Sequence, residues 1–152
     1  MRGNRLMGLL LALGVGAAVF FLWPKPKRTP EEEVRELVAR AVDAAQKRDA
    51  AGVTESLADT FHGPSGTSAQ EVKRLIVGHL FRNQSPLVVL NPVLDVTVTS
   101  PTAASFKGTF IFARGQVADW QQPGDGASRY DISAELEKQG GDWKIITAAW
   151  AQ

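Results

Sequence analysis

Apolar residues are distributed differently in three stretches of the chain. From Leu6 to Trp23 the sequence LMGLLLALGVGAAVFFLW runs eighteen residues without a charge, Asn, Gln or Pro. A helix of that length reaches ~27 Å, close to the ~30 Å hydrocarbon core of a bilayer. From Thr29 to about Asn83 apolar positions recur at helical spacing, and from Leu87 onward they alternate.

The helical stretch predicts three helices. Thr29-Pro30-Glu31-Glu32 opens the first, with Thr29 as cap, Pro30 at the first helical position and Glu32 closing a capping box. Val34, Leu37, Val38, Ala41, Val42 and Ala45 form one apolar stripe, and Lys47 and Arg48 suit the negative end of the dipole. Asp49 caps a second, shorter helix with Val53, Leu57 and Phe61 spaced along it or just after it, ended by His62-Gly63-Pro64-Ser65-Gly66. Ser68 to Glu71 is a second capping box, followed by the stripe Val72, Leu75, Ile76, His79 and Leu80.

Four strands follow, at Leu87 to Thr99, Thr102 to Arg114, Ser128 to Lys138 and Trp143 to Trp150. Pro92 predicts an edge or a bulge in the first of them. Phe106, Phe110 and Phe112 share one parity, as do Tyr130, Ile132, Ala134 and Leu136, so each strand has one buried face. Helices followed by strands place the chain in the α+β class. The expected architecture is an N-terminal transmembrane helix and basic spacer (1–28), then a domain (29–152) of three helices on a curved, mainly antiparallel sheet of four to six strands.

The N-terminal run has two readings. Arg2 and Arg5 followed by small residues at Gly14, Gly16, Ala17 and Ala18 fit a cleaved secretory signal. Apolar residues continuing through Val19-Phe20-Phe21-Leu22-Trp23, with an interfacial tryptophan before Pro24, favour an uncleaved anchor. Basic residues flank both sides, and the short N-terminal tail favours a signal anchor that places a single-pass protein's domain outside the cytoplasm. Pro24 to Arg28 is then a stiff, extended spacer.

Composition narrows the chemistry. Seventeen basic residues against sixteen acidic ones provide no field to attract nucleic acid. The absence of cysteine excludes disulfides, thiolate metal sites and cysteine nucleophiles. With only His62 and His79, no metal cluster or cofactor motif is expected.

The order of elements, the Lys47-Arg48-Asp49 turn running on to Leu57-Ala58-Asp59, and the closing Asp142-Trp143-Lys144-Ile145-Ile146 strand resemble the nuclear transport factor 2-like superfamily, over about Pro30 to Ala151. That superfamily includes ketosteroid isomerases and polyketide-cyclase-like proteins. The resemblance implies a cone with a pocket between sheet and long helix, and frequent dimerisation through the sheet's outer face. In the isomerase branch a carboxylate base follows the second helix, while a tyrosine and a protonated acid hold the enolate oxygen.

On that resemblance His62 stands where the base would be, Asp59 comes too early, and the first-helix tyrosine has no counterpart. The lone tyrosine, Tyr130, lines a pocket or fills the core, and His79 is a core residue or faces the pocket. Asp131 has the parity of the charged face, and Asp95 also lies on a strand. Trp120, in the loop Gly115 to Gly126, is a lid or a loop anchor. Trp143 and Trp150 have opposite parity, which places one inside the cone and one on the outer face, where it suits a dimer interface.

The leading expectation is therefore a membrane-anchored, non-catalytic binding or assembly module, held by residues 6–23, with a pocket for a small apolar ligand or a protein partner walled by Phe106, Phe110, Phe112, Tyr130 and Trp150. A homodimer through the outer sheet face accompanies it. The alternative is an isomerase- or cyclase-type enzyme with His62 as general base and Tyr130 as hydrogen-bond donor.

Overall fold

A computed structural model describes residues 26–82, 86–114 and 127–152, apart from the side chains of residues 79–81. The expected anchor at 6–23 and Trp120 lie outside the described residues, as does the His79 side chain. Among the described residues no helix is long and apolar enough to cross a membrane.

Both capping boxes form. Thr29 Oγ1 accepts from Glu32 N at 3.2 Å while Glu32 Oε2 accepts from Thr29 N at 2.9 Å, starting α1 at Pro30–Gln46. Ser68 and Glu71 do the same for α3, Ala69–Phe81. Between them Arg48, at φ 58°, turns the chain so that Asp49 caps the short α2, Ala50–Thr54, through Gly52 N.

The second helix is shorter than its spacing predicts. It ends at Thr54, and Leu57–His62 is a strand, β1, at one edge of the sheet. The physical reason is a register shift against the neighbouring strand between Leu57 and His62. The shift breaks the two-residue alternation, so Ala58 and Phe61, three apart, are both buried, and a spacing of three imitates a helix.

The remaining strands are β2 (Leu87–Ser100), β3 (Ala103–Arg114), β4 (Ala127–Gln139) and β5 (Asp142–Ala151). They form an antiparallel meander, and β1 joins β5 in parallel to give the order β1-β5-β4-β3-β2. The sheet therefore has five strands. The β4–β5 hairpin turns on Gly140 and Gly141, whose φ values of 60° and 89° suit a two-residue turn of the kind that matches strand twist.

At the β2 edge, pairing steps from Leu90 to Val93 on one strand against Ile111 to Thr109 on the other. Asn91 and Pro92 thus form the bulge that Pro92 predicts, and Asn91 Nδ2 fastens it by donating to Val93 O at 2.9 Å and Thr109 O at 2.8 Å. α1 lies along this edge: Arg35 Nη1 donates to Leu94 O at 2.9 Å, and Gln46 Oε1 accepts from Val89 N at 3.4 Å.

The core sits between α1 and the inner face of the sheet. Val34, Leu37, Val38 and Ala45 pack with Phe106 and Phe110 of β3, Leu136 of β4 and Trp143 of β5. α3 is attached differently, against α2 and β1. In consequence, among the described side chains of its stripe, Val72 and Ile76 are partly covered and Leu75, expected to be buried, is 62% exposed.

The start of α1 is tied to the β4–β5 hairpin by one carboxylate. Glu33 Oε2 accepts from Trp143 Nε1 at 2.6 Å and pairs with Lys138 Nζ at 2.8 Å, and that ammonium also lies 5.4 Å from the Trp143 ring centroid. The Lys138 contact, then the Trp143 hydrogen bond, hold the Glu33 carboxyl below its ordinary value of 4.5.

Two stability predictions follow from these contacts. Leu136 is 1% exposed, so Leu136→Ala should cost about 2–5 kcal/mol in denaturant unfolding of residues 29–152. Glu33→Gln should cost roughly 1 kcal/mol at neutral pH, a figure reduced for partial solvent exposure. Because the folded carboxyl titrates below the unfolded one, its contribution is complete above pH 4.5 and fades as pH falls further. The wild-type advantage over the variant should therefore shrink in acid.

Candidate functional site

The hairpin turns lie at one end of the sheet, and β2 and β4 begin, and β3 and β5 end, at the other. α1 runs from the hairpin end, where Glu33 meets Trp143, to the open end, where Gln46 meets Val89. Cross-strand register assigns each side chain to a face. Leu94, Gly108, Ile132 and Trp150 form one row of the inner face, and Phe110 and Tyr130 are paired in the next.

Trp150 therefore shares the inner face with Trp143, contrary to the alternation. Leu136 pairs with Ile145 and Glu135 with Thr147, so Ile146 is an extra residue in β5 that resets the parity. The outer face has neither of these tryptophans.

At the open end the aromatics form a diagonal across three strands. Phe112 meets Tyr130 edge to face, with centroids 5.7 Å apart and an interplanar angle of 80°. Both rings are half-buried, while Trp150 is 40% exposed. Trp150 lies over Gly63, where a Cβ would stand 3.3 Å from the indole ring. The one hydroxyl in the group, that of Tyr130, accepts from Gln152 Nε2 at 3.4 Å.

The five expected wall residues thus divide. Phe106 and Phe110 are 6% exposed and belong to the continuous core, whereas Phe112, Tyr130 and Trp150 present partly open surface. Gly63 and Gln152 were missed in the sequence. Gly63 read only as a helix terminator, and a C-terminal glutamine carries no signal of its own.

His62 does not join this group. It ends β1 exposed to solvent, with Thr147 as its parallel partner and Ser68 bridged to it. Thr147 is opposite Glu135 on the outer face, whereas Tyr130 faces inward. No hydrogen bond connects His62 with Tyr130 or a carboxylate among the described residues. Asp131 faces outward as its parity predicts. It accepts from Thr109 Oγ1 at 2.7 Å, which, followed by the charge of Arg129, holds its carboxyl below the usual range. An ionised, exposed aspartate does not supply the protonated acid of an oxyanion hole.

Two concavities lie elsewhere among the described residues, and neither is lined by Phe112, Tyr130 or Trp150. A groove of about 330 Å³ on the outer face is lined by Val93, Asp95, Lys107, Thr109, Asp131 and Ser133. A cleft of about 310 Å³ at the hairpin end lies among Arg28, Arg40, Ser56, Trp143 and Lys144. No three His, Asp or Glu residues gather to hold a metal among the described residues.

Similar architectures occur in solved structures. A nuclear transport factor 2-like protein of unknown function from Pseudomonas putida superposes with a TM-score of 0.66 at 20% identity, covering 80% of this chain and 84% of that one. This chain has the nuclear transport factor 2-like fold. A candidate scytalone dehydratase from Novosphingobium aromaticivorans matches with a TM-score of 0.64 at 11% identity, covering 78% and 80% of the two chains. A candidate calcium/calmodulin dependent protein kinase II association domain from Xanthomonas campestris matches at 0.60 and 16% identity, covering 82% and 91%. No protein-family profile and no curated protein matches the chain. An enzyme and an association domain thus share the fold at similar distance, so function has to be argued from the site.

The geometry separates core from surface residues in a testable way. His62→Ala should change unfolding free energy by less than about 0.5 kcal/mol, as for an exposed residue without partners. Phe110→Ala should cost about 3–5 kcal/mol. Parallel urea titrations of the two variants measure the difference.

Proposed function

We propose that the chain is a membrane-tethered, non-catalytic binding module that receives a small apolar ligand or an apolar patch of a protein partner at the open end of the cone. The observation that carries this reading is the aromatic diagonal. Phe112, Tyr130 and Trp150 share one face and remain partly accessible, with a single hydroxyl among them. An amphipathic ring with a polar tip suits an uncharged guest that needs one hydrogen bond.

Tethering is supported by the uncharged run Leu6 to Trp23, whose length as a helix approaches the thickness of a bilayer's hydrocarbon core. The outer face supports pairing of two copies. Its groove sets Lys107 directly across from Asp95 with Val93 half exposed beside them, a mixed patch that a two-fold axis can match to itself.

Among the described residues no arrangement of side chains favours the enzyme reading. General bases and oxyanion donors each contribute factors of roughly a hundred or more, and only when both point at one reacting group. Here His62 and Tyr130 belong to opposite faces.

Fluorescence titration of residues 29–152 with an uncharged environment-sensitive dye tests the proposal. Tyr130→Ala and Trp150→Ala should weaken binding about tenfold each, corresponding to roughly 1.4 kcal/mol, and His62→Ala should leave it unchanged. Turnover of conjugated enones that collapses in His62→Ala while the fold survives would reverse the assignment.

A further inference from the structure

We infer that the tether holds the domain with its hairpin end towards the bilayer and its aromatic end away from it, so that ligand or partner arrives through the aqueous phase and not from the lipid. The inference rests on the reading of residues 6–23 as a membrane anchor and adds to it a direction.

The chain enters the domain at the hairpin end. Thr29 is fixed by its capping box, and Arg28 pairs with Glu36 about two turns further along α1. The free spacer is thereby reduced to Pro24-Lys25-Pro26-Lys27, at most about 14 Å when extended, and its two prolines restrict it further. α1, at 17 residues, is about 25 Å long. Along β5 the path from Trp143 to Trp150 covers a similar ~23 Å.

Turning the cone over would lift the start of α1 about 25 Å from the bilayer, beyond a reach of about 14 Å. Lying on its sheet, the domain would place Asp95, Asp131, Glu135 and Glu137 against the headgroups, beside Lys107, Arg129 and Lys144, and anionic lipid repels the excess of carboxylates. The flank best able to compete is α3, where Lys73 and Arg74 precede exposed Leu75.

The chain contains no cysteine, so single labels report position without background. The full chain would be reconstituted in phosphatidylcholine and phosphatidylglycerol vesicles containing a headgroup nitroxide lipid. A fluorophore would be placed in turn on Asp142→Cys at the hairpin end, Gln152→Cys at the aromatic end and Lys73→Cys on α3. Quenching at position 142 should exceed that at 152 and at 73 several-fold. Protein that floats with the vesicles but is quenched most at 152 or 73, or equally at all three, overturns the orientation and leaves the anchor standing. Protein that fails to float overturns the anchor, and the orientation with it.

Discussion

The apolar stripe of α1 has to be covered, and the concave face of the sheet is what covers it. Val34 is completely excluded from solvent and Leu136, on the facing strand, almost so. This contact orders the rest. It sets α1 along the β2 edge, where Arg35 and Gln46 reach backbone groups of the strand and reduce its capacity to pair with another chain. It also brings Glu33 over Trp143 and Lys138, fixing which end of the helix meets the hairpins.

Once α1 is placed, the two ends of the cone acquire different characters. The hairpin end is closed by a charge-assisted bond between helix and sheet, and the chain enters there. The open end has no such clasp among the described residues. Its inner face ends in Phe112, Tyr130 and Trp150, rings too large to be wholly buried at a sheet margin. The opposite face carries Asp95, Lys107, Asp131 and Glu135, and there Asp131 accepts a hydrogen bond from Thr109. This arrangement leaves His62 and Tyr130 on opposite faces of the sheet.

Irregularities in the strands have effects larger than their size. One extra residue at Ile146 returns Trp150 to the inner face, and a register shift in β1 buries Ala58 and Phe61 while leaving His62 exposed on the other side. The aromatic diagonal and the exclusion of His62 from it both depend on these two irregularities.

Local chemistry was legible in the sequence wherever it acts over a few residues. Both capping boxes, the Pro92 bulge and the limits of the four meander strands, to within one or two residues, follow from caps, turn formers and alternation. The outward Asp131 and the buried side of β3 as far as Phe110 follow from parity alone. The faces of Trp150 and His62, the strand hidden in the second helical pattern and the exposure of Leu75 were decided by tertiary structure. Each depends on pairing with a strand distant in sequence, or on which surface a helix finds to pack against, and a periodic pattern cannot register one inserted residue or a missing neighbour.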